Sequence, residues 1–134
     1  MSAGAELNGE PILVVDDTPA NAKLLRVVLE RAGYDVRTAS DGQEMEKVLE
    51  GFRPRLVLMD LQLPGVDGLE LTRRLKSQDG TAQVIVIAVT SYAMKGDEER
   101  ALDAGCDGYM SKPIDVNTIA DEVAHYLKDG AGGG

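Results

Sequence analysis

The sequence predicts an α/β domain built around an open parallel β-sheet, on three observations. Five short apolar runs alternate with five longer segments of helical periodicity, the pattern of βαβ units. Three of the runs, Ile12 to Val15 (ILVV), Leu56 to Met59 (LVLM) and Val84 to Val89 (VIVIAV), contain no polar residue, as in strands that helices cover on both faces. The stretches between runs are short and rich in Gly, Pro and Asp, which suits tight βα connections. A chain of 134 residues is the right length for one such domain with one core.

The elements follow in order. The first strand is Ile12 to Asp16, and the first helix runs from Pro19, whose missing N–H costs little in a first turn, to Ala32, with Gly33 as the stop. The second strand, Asp35 to Ala39, is half polar and reads as a more exposed edge. Asp41 is an N-cap for the second helix, Gly42 to Glu50, which Gly51 ends. Pro54 keeps the approach to the third strand, Leu56 to Asp60, extended. The third helix, Leu69 to Ser77, sets Leu71 and Leu75 at i, i+4, with Asp67 in a loop or cap role. The fourth strand, Val84 to Val89, belongs in the sheet interior. The fourth helix is Asp97 to Ala104, closed by Gly105, and the fifth strand is Gly108 to Ser111. The fifth helix, Val116 to Lys128, aligns Val116, Ile119, Val123 and Leu127 on one face. Residues 1–9 and the Gly-rich residues 129–134 read as flexible tails around a domain spanning residues 10–128.

Composition narrows the function. The net charge is −9 and no Lys/Arg cluster makes a positive stripe, which argues against direct nucleic-acid binding. No apolar run approaches the ~18 residues of a membrane span. Cys106 is the sole cysteine, read as a buried structural thiol, and no signal-peptide pattern opens the chain, so a reducing cytoplasm is the expected location.

In an open parallel sheet, functional groups collect beyond the carboxyl ends of the strands. To that edge the first strand brings Asp16 and Asp17, the third Asp60, the fourth Thr90 and Ser91, and the turn after the fifth Lys112 and Pro113. Three carboxylates in one crevice repel by several kcal/mol in total at an effective dielectric of about 20. Lys112 offsets one charge, and a divalent cation would offset two more. All-oxygen ligands favour Mg²⁺, with Mn²⁺ as a substitute. A carboxylate beside such a cation, a hydroxyl and an ammonium makes a phosphoryl-accepting site. Asp60, alone at its strand end, is the nucleophile candidate, Thr90 and Lys112 attend the phosphoryl oxygens, and Asp16 and Asp17 hold the metal.

Through LVVDD, LVLMDLQLPGVDG, VIAVTSYA and YMSKPI, the chain resembles a response-regulator receiver domain of two-component signalling over roughly Glu10 to Lys128. The resemblance implies a flavodoxin-like doubly wound (βα)5 fold with sheet order 2-1-3-4-5, Asp60 as phosphoacceptor, and Mg²⁺ held by Asp16, Asp17, Asp60 and the backbone carbonyl of Gln62. It also implies Thr90 and Tyr109 as a coupled switch, Gln62 and Tyr92 as residues that tune phosphoryl lifetime, and a cis Lys112–Pro113 bond. Tyr92 is expected to shade the site from water. The stretch AMKGDEERALDAGCDGYMSKPI is similar to stand-alone regulators of the DivK type, and to receivers attached to hybrid kinases.

The implied partners are a histidine kinase or histidine phosphotransferase and a downstream protein that reads the surface of the fourth helix, fifth strand and fifth helix. The chain would act as a monomer or weak dimer and as a signalling module rather than an enzyme. His125 lies off the apolar stripe of the fifth helix and reads as an exposed residue, so the donor histidine belongs to the partner. A haloacid-dehalogenase-type phosphohydrolase remains an alternative, though that class wants a second Asp two residues after a nucleophile on the first strand. A flavin module would want ring-stacking aromatics, and the chain has no Trp and one Phe.

Overall fold

The computed structural model describes residues 9–63, 67–91 and 96–133. Five parallel strands, β1 (Pro11–Val15), β2 (Asp35–Ala39), β3 (Leu56–Asp60), β4 (Ile85–Thr90) and β5 (Gly108–Ser111), form one sheet in the order β2-β1-β3-β4-β5. Five helices alternate with them: α1 (Pro19–Arg31), α2 (Gly42–Leu49), α3 (Gly68–Ser77), α4 (Asp97–Asp103) and α5 (Ile119–Gly133). This is the flavodoxin-like doubly wound fold. No helix among the described residues is long and apolar enough to cross a membrane.

The period of two in each strand divides the core into two layers. Leu13, Val15, Val57, Met59, Val86 and Ala88 face one way and pack with Met45 of α2, Leu71 and Leu75 of α3 and Ala101 of α4. Ile12, Val14, Leu56, Leu58, Ile87 and Val89 face the other way and pack with Leu25 and Leu29 of α1 and Ile119, Val123 and Leu127 of α5. Every residue of β3 and β4 is buried, which accounts for their lack of polar alternation, whereas β2 exposes Arg37 at the edge. Each fully buried Leu or Ile contributes about 1.5–3 kcal/mol relative to exposure.

Local chemistry sets the helix starts. Asp41 accepts the Glu44 N–H at 2.8 Å, and Glu44 reaches back to the Ser40 N–H at 2.7 Å, a reciprocal cap displaced by one residue. Asp67 caps α3 by accepting the Leu69 N–H at 2.9 Å. The apolar stripe expected on the last helix loses its first member. Asp115 accepts the Asn117 N–H on its side chain and the Thr118 and Ile119 N–H groups on its carbonyl, so Val116 sits in a turn, 38% exposed. Helix α5 therefore begins at Ile119, and its backbone continues to Gly133, past the expected stop at Lys128.

Gly68 is where the fold presses on the crevice. A Cβ there would lie 2.4 Å from the Asp60 carbonyl oxygen and 2.9 Å from the Leu61 Cα, so the first turn of α3 rests directly on the end of β3. Helix propensity alone favours Ala over Gly by about 1 kcal/mol. The contact is with backbone, which cannot swing aside, so Gly68→Ala is expected to destabilise the protein by about 2 kcal/mol in urea denaturation. An unchanged or raised midpoint would show that α3 does not bear on β3 in this way.

Candidate functional site

The carboxyl edge of the sheet brings the acids together by register. Val15 pairs with Met59, so Asp16 and Asp60 are the next residues on adjacent strands. The Asp16 N–H donates to the Ala39 carbonyl at 2.9 Å and the Leu61 N–H to the Val89 carbonyl at 2.9 Å, which carries the ladder to the mouth of the crevice. On β5, Ser111 pairs with Thr90, and the Lys112 N–H donates to the Thr90 carbonyl at 2.8 Å. Asp16, Asp60 and Lys112 each continue the row of alternate residues on the α1/α5 side of the sheet. Thr90 continues the Val86–Ala88 row on the opposite side, where Tyr109 packs partly buried against the same core layer.

Carboxylate oxygens of Asp16, Asp17 and Asp60 lie within 4.8 Å of one another. Asp16 and Asp60 are buried, at 4% and 2% exposure, while Asp17 is exposed. Lys112 Nζ donates to Asp60 Oδ2 at 3.1 Å and lies 3.5 Å from Asp16 Oδ2. The second oxygen of each buried acid is held by backbone two residues on. Asp16 Oδ1 accepts the Thr18 N–H and Asp60 Oδ1 the Gln62 N–H, both at 2.8 Å. These local turns point both carboxylates into the crevice and fix their orientation.

Burial pushes the Asp16 carboxyl above its ordinary range, and the charge of Asp60 adds to that; the Thr18 N–H and Lys112 pull the other way. For Lys112, burial opposes the charge, but the Asp60 hydrogen bond and the charges of Asp16 and Asp60 outweigh it and raise the ammonium above its usual value. One cation among three acids leaves the cluster short of positive charge. The donor set is all oxygen, with one exposed carboxylate at the mouth, which fits a hard divalent cation that keeps part of its water shell.

The Lys112–Pro113 peptide is cis. The Gln62 side-chain oxygen accepts the Ser91 N–H at 3.1 Å, a link between the ends of β3 and β4 with no counterpart in the motifs. Gly68 is a second feature that spacing does not reveal, since its constraint comes from a neighbouring strand. Tyr92 and the Pro64–Gly65 turn lie outside the described residues. Cys106 is buried, with its thiol 3.8 Å from Thr72 Oγ1, and burial raises its pKa. His125 is exposed, its ring edge-on to Tyr126.

The family model for the response regulator receiver domain matches residues 12–124. The chain belongs to the response regulator receiver family. Among curated relatives, the polar-differentiation response regulator DivK of Brucella anthropi is 44% identical over 118 residues, which are 88% of this chain and 96% of that one. DivK of Brucella ovis is 42% identical over the same shares. Among solved structures, a CheY-like receiver domain protein from Methanospirillum hungatei JF-1 superposes with a TM-score of 0.85 at 28% identity, covering 95% of this chain and all of that one. The receiver domain of a sensor histidine kinase from Pseudomonas aeruginosa PAO1, solved with a magnesium ion coordinated in its active site cleft, superposes with a TM-score of 0.77 at 34% identity, covering 92% and 98%. This receiver is thus DivK-like, in a family of two-component signalling proteins. Membership sets aside the phosphohydrolase and flavin-module alternatives.

Proposed function

We propose that this receiver accepts a phosphoryl group on Asp60 from a phosphohistidine of a histidine kinase or phosphotransferase. The observation that carries the reading is the setting of Asp60. It is a buried carboxylate whose two oxygens are held by the Gln62 N–H and Lys112, inside a three-acid cluster. In the transfer, one Asp60 oxygen bonds to phosphorus while the phosphorus–nitrogen bond of the donor breaks, and the departing imidazole takes a proton from water. Lys112 and the Thr90 hydroxyl stabilise charge on the phosphoryl oxygens. Asp16, Asp17, Asp60 and the Gln62 carbonyl would hold Mg²⁺, or Mn²⁺ in its place. Bound there, the cation would supply the positive charge that Lys112 alone does not.

The phosphoryl group adds about 1.5 to 2 negative charges beside Thr90. Thr90 and Tyr109 continue the same face of the sheet on adjacent strands, so a shift of Thr90 toward the new oxygens opens space for the Tyr109 ring. The pair then biases the α4-β5-α5 surface between two states, to which a downstream protein responds. Under this reading the domain spans residues 10–128 and works in the cytoplasm as a monomer or weak dimer. It acts as a switch without turnover of an external substrate and without direct nucleic-acid contact, and Gln62 and Tyr92 set the phosphoryl lifetime.

Acetyl phosphate with Mg²⁺ is expected to place one base-labile phosphoryl group on each chain. Chelation by EDTA should slow uptake by more than about a hundredfold, because metal stabilisation of transferring phosphoryl oxygens is worth several kcal/mol. Uptake that is indifferent to EDTA would contradict the metal's role, and absence of uptake would contradict the reading as a whole.

A further inference from the structure

Gln62 touches both sides of the crevice. Its N–H donates to Asp60 Oδ1 at 2.8 Å, and its side-chain oxygen accepts the Ser91 N–H at 3.1 Å. The Leu61 N–H donates to the Val89 carbonyl, and a regular parallel ladder would next place the Ser91 N–H on the Leu61 carbonyl. That N–H goes to the Gln62 side chain instead, so the amide stands in for a ladder bond where the strands open. The Thr90–Ser91 peptide has a fixed orientation. Its carbonyl accepts the Lys112 N–H on the β5 side, and in a planar trans peptide the N–H points the opposite way, toward the end of β3 where Asp60 stands.

We propose that the Gln62 side chain is an internal competitor for the Ser91 N–H, holding it in the unmodified protein and yielding it to a phosphoryl oxygen on Asp60. The inference rests on Asp60 as phosphoacceptor. The Gln62 amide oxygen is neutral, whereas a phosphoryl oxygen is charged, and hydrogen bonds to charged acceptors are roughly twice as strong. The exchange therefore favours the phosphorylated state. Until it happens, the competitor lowers the apparent affinity of the site for any phosphoryl-like anion by the fraction of molecules in which the donor is free. Gln62 is on this account a positioning residue that sets how readily the site accepts phosphoryl as well as how it holds it.

The test uses Gln62→Met, which keeps the length of the side chain and removes its strong acceptor, with Gln62→Ala as a second variant. Two quantities are read: exchange of the Ser91 amide by NMR, and affinity for beryllofluoride with Mg²⁺, a mimic of the aspartyl phosphate. In the free protein both variants should speed Ser91 exchange about three- to tenfold, the range expected for one lost hydrogen bond. Both should bind beryllofluoride tighter by a similar factor, and Ser91 protection should become equal to wild type once the mimic is bound. Unchanged exchange would show that the bond is not formed in solution, and faster exchange with unchanged affinity would show a bond that does not compete; either result overturns the proposal. Failure of the wild-type protein itself to bind beryllofluoride would instead overturn the assignment of Asp60, and the competitor with it.

Discussion

Asp60→Asn is expected to lower phosphoryl uptake from acetyl phosphate by at least about a thousandfold while leaving the fold intact, since loss of a nucleophile removes the covalent route altogether. The asparagine oxygen can still accept the Gln62 N–H, so the turn after β3 keeps its anchor. Lys112 keeps Asp16 as a partner at 3.5 Å. One acid fewer beside one ammonium also reduces repulsion at the strand ends, and the variant should stay within about 1 kcal/mol of wild type in urea denaturation. The pairing of these outcomes matters. Loss of uptake with a folded protein assigns Asp60 to the chemistry, whereas uptake persisting near the wild-type rate would move the acceptor elsewhere.

Lys112→Ala is expected to have the largest effect on stability. Two buried carboxylates, Asp16 and Asp60, then lose their shared cation, and removing one partner of a buried pair leaves the other charge uncompensated. With the Lys112 side chain 17% exposed, a loss of about 2 to 3 kcal/mol is expected at neutral pH without divalent cation. The wild-type ammonium is raised above its ordinary value, so its contribution is fully present below the unfolded pKa and is lost only as pH rises through the higher folded value. Over the neutral range the deficit of the variant should therefore not come from titration of Lys112. Millimolar Mg²⁺ should restore part of it, because a cation held by Asp16, Asp17 and Asp60 would offset charge that the missing ammonium no longer offsets. An equal midpoint for Lys112→Ala and wild type without metal would show that the acids are not held by this lysine.

The layout of the candidate site was legible because most of its residues end an apolar run, and a strand with helices on both faces can place a charge only at its tip. Asp16, Asp60 and Thr90 follow from that rule, and Lys112 from the turn after β5. The bridging position of Lys112 between Asp16 and Asp60 depends on strand order, which came from family resemblance and not from periodicity. Other features were not legible because they are made between elements distant in the chain. The need for glycine at position 68 arises from the Asp60 carbonyl above it, and the use of the Gln62 amide arises from the divergence of β3 and β4 beyond Leu61. Val116 shows the opposite failure. Its spacing fits the helical stripe, yet Asp115 gathers three backbone N–H groups and turns the chain before the helix starts.

The central claim is that phosphoryl bonds to one atom group, the carboxylate of Asp60. An acyl phosphate is reduced by borohydride to an alcohol, whereas a free carboxylate is not, so the modified aspartate becomes homoserine. The direct measurement is peptide mass spectrometry after treatment with acetyl phosphate and Mg²⁺ followed by borohydride. Homoserine at position 60, and at neither Asp16 nor Asp17, is the predicted result. Homoserine at another aspartate, or none in a protein that carries phosphoryl label, would contradict the account.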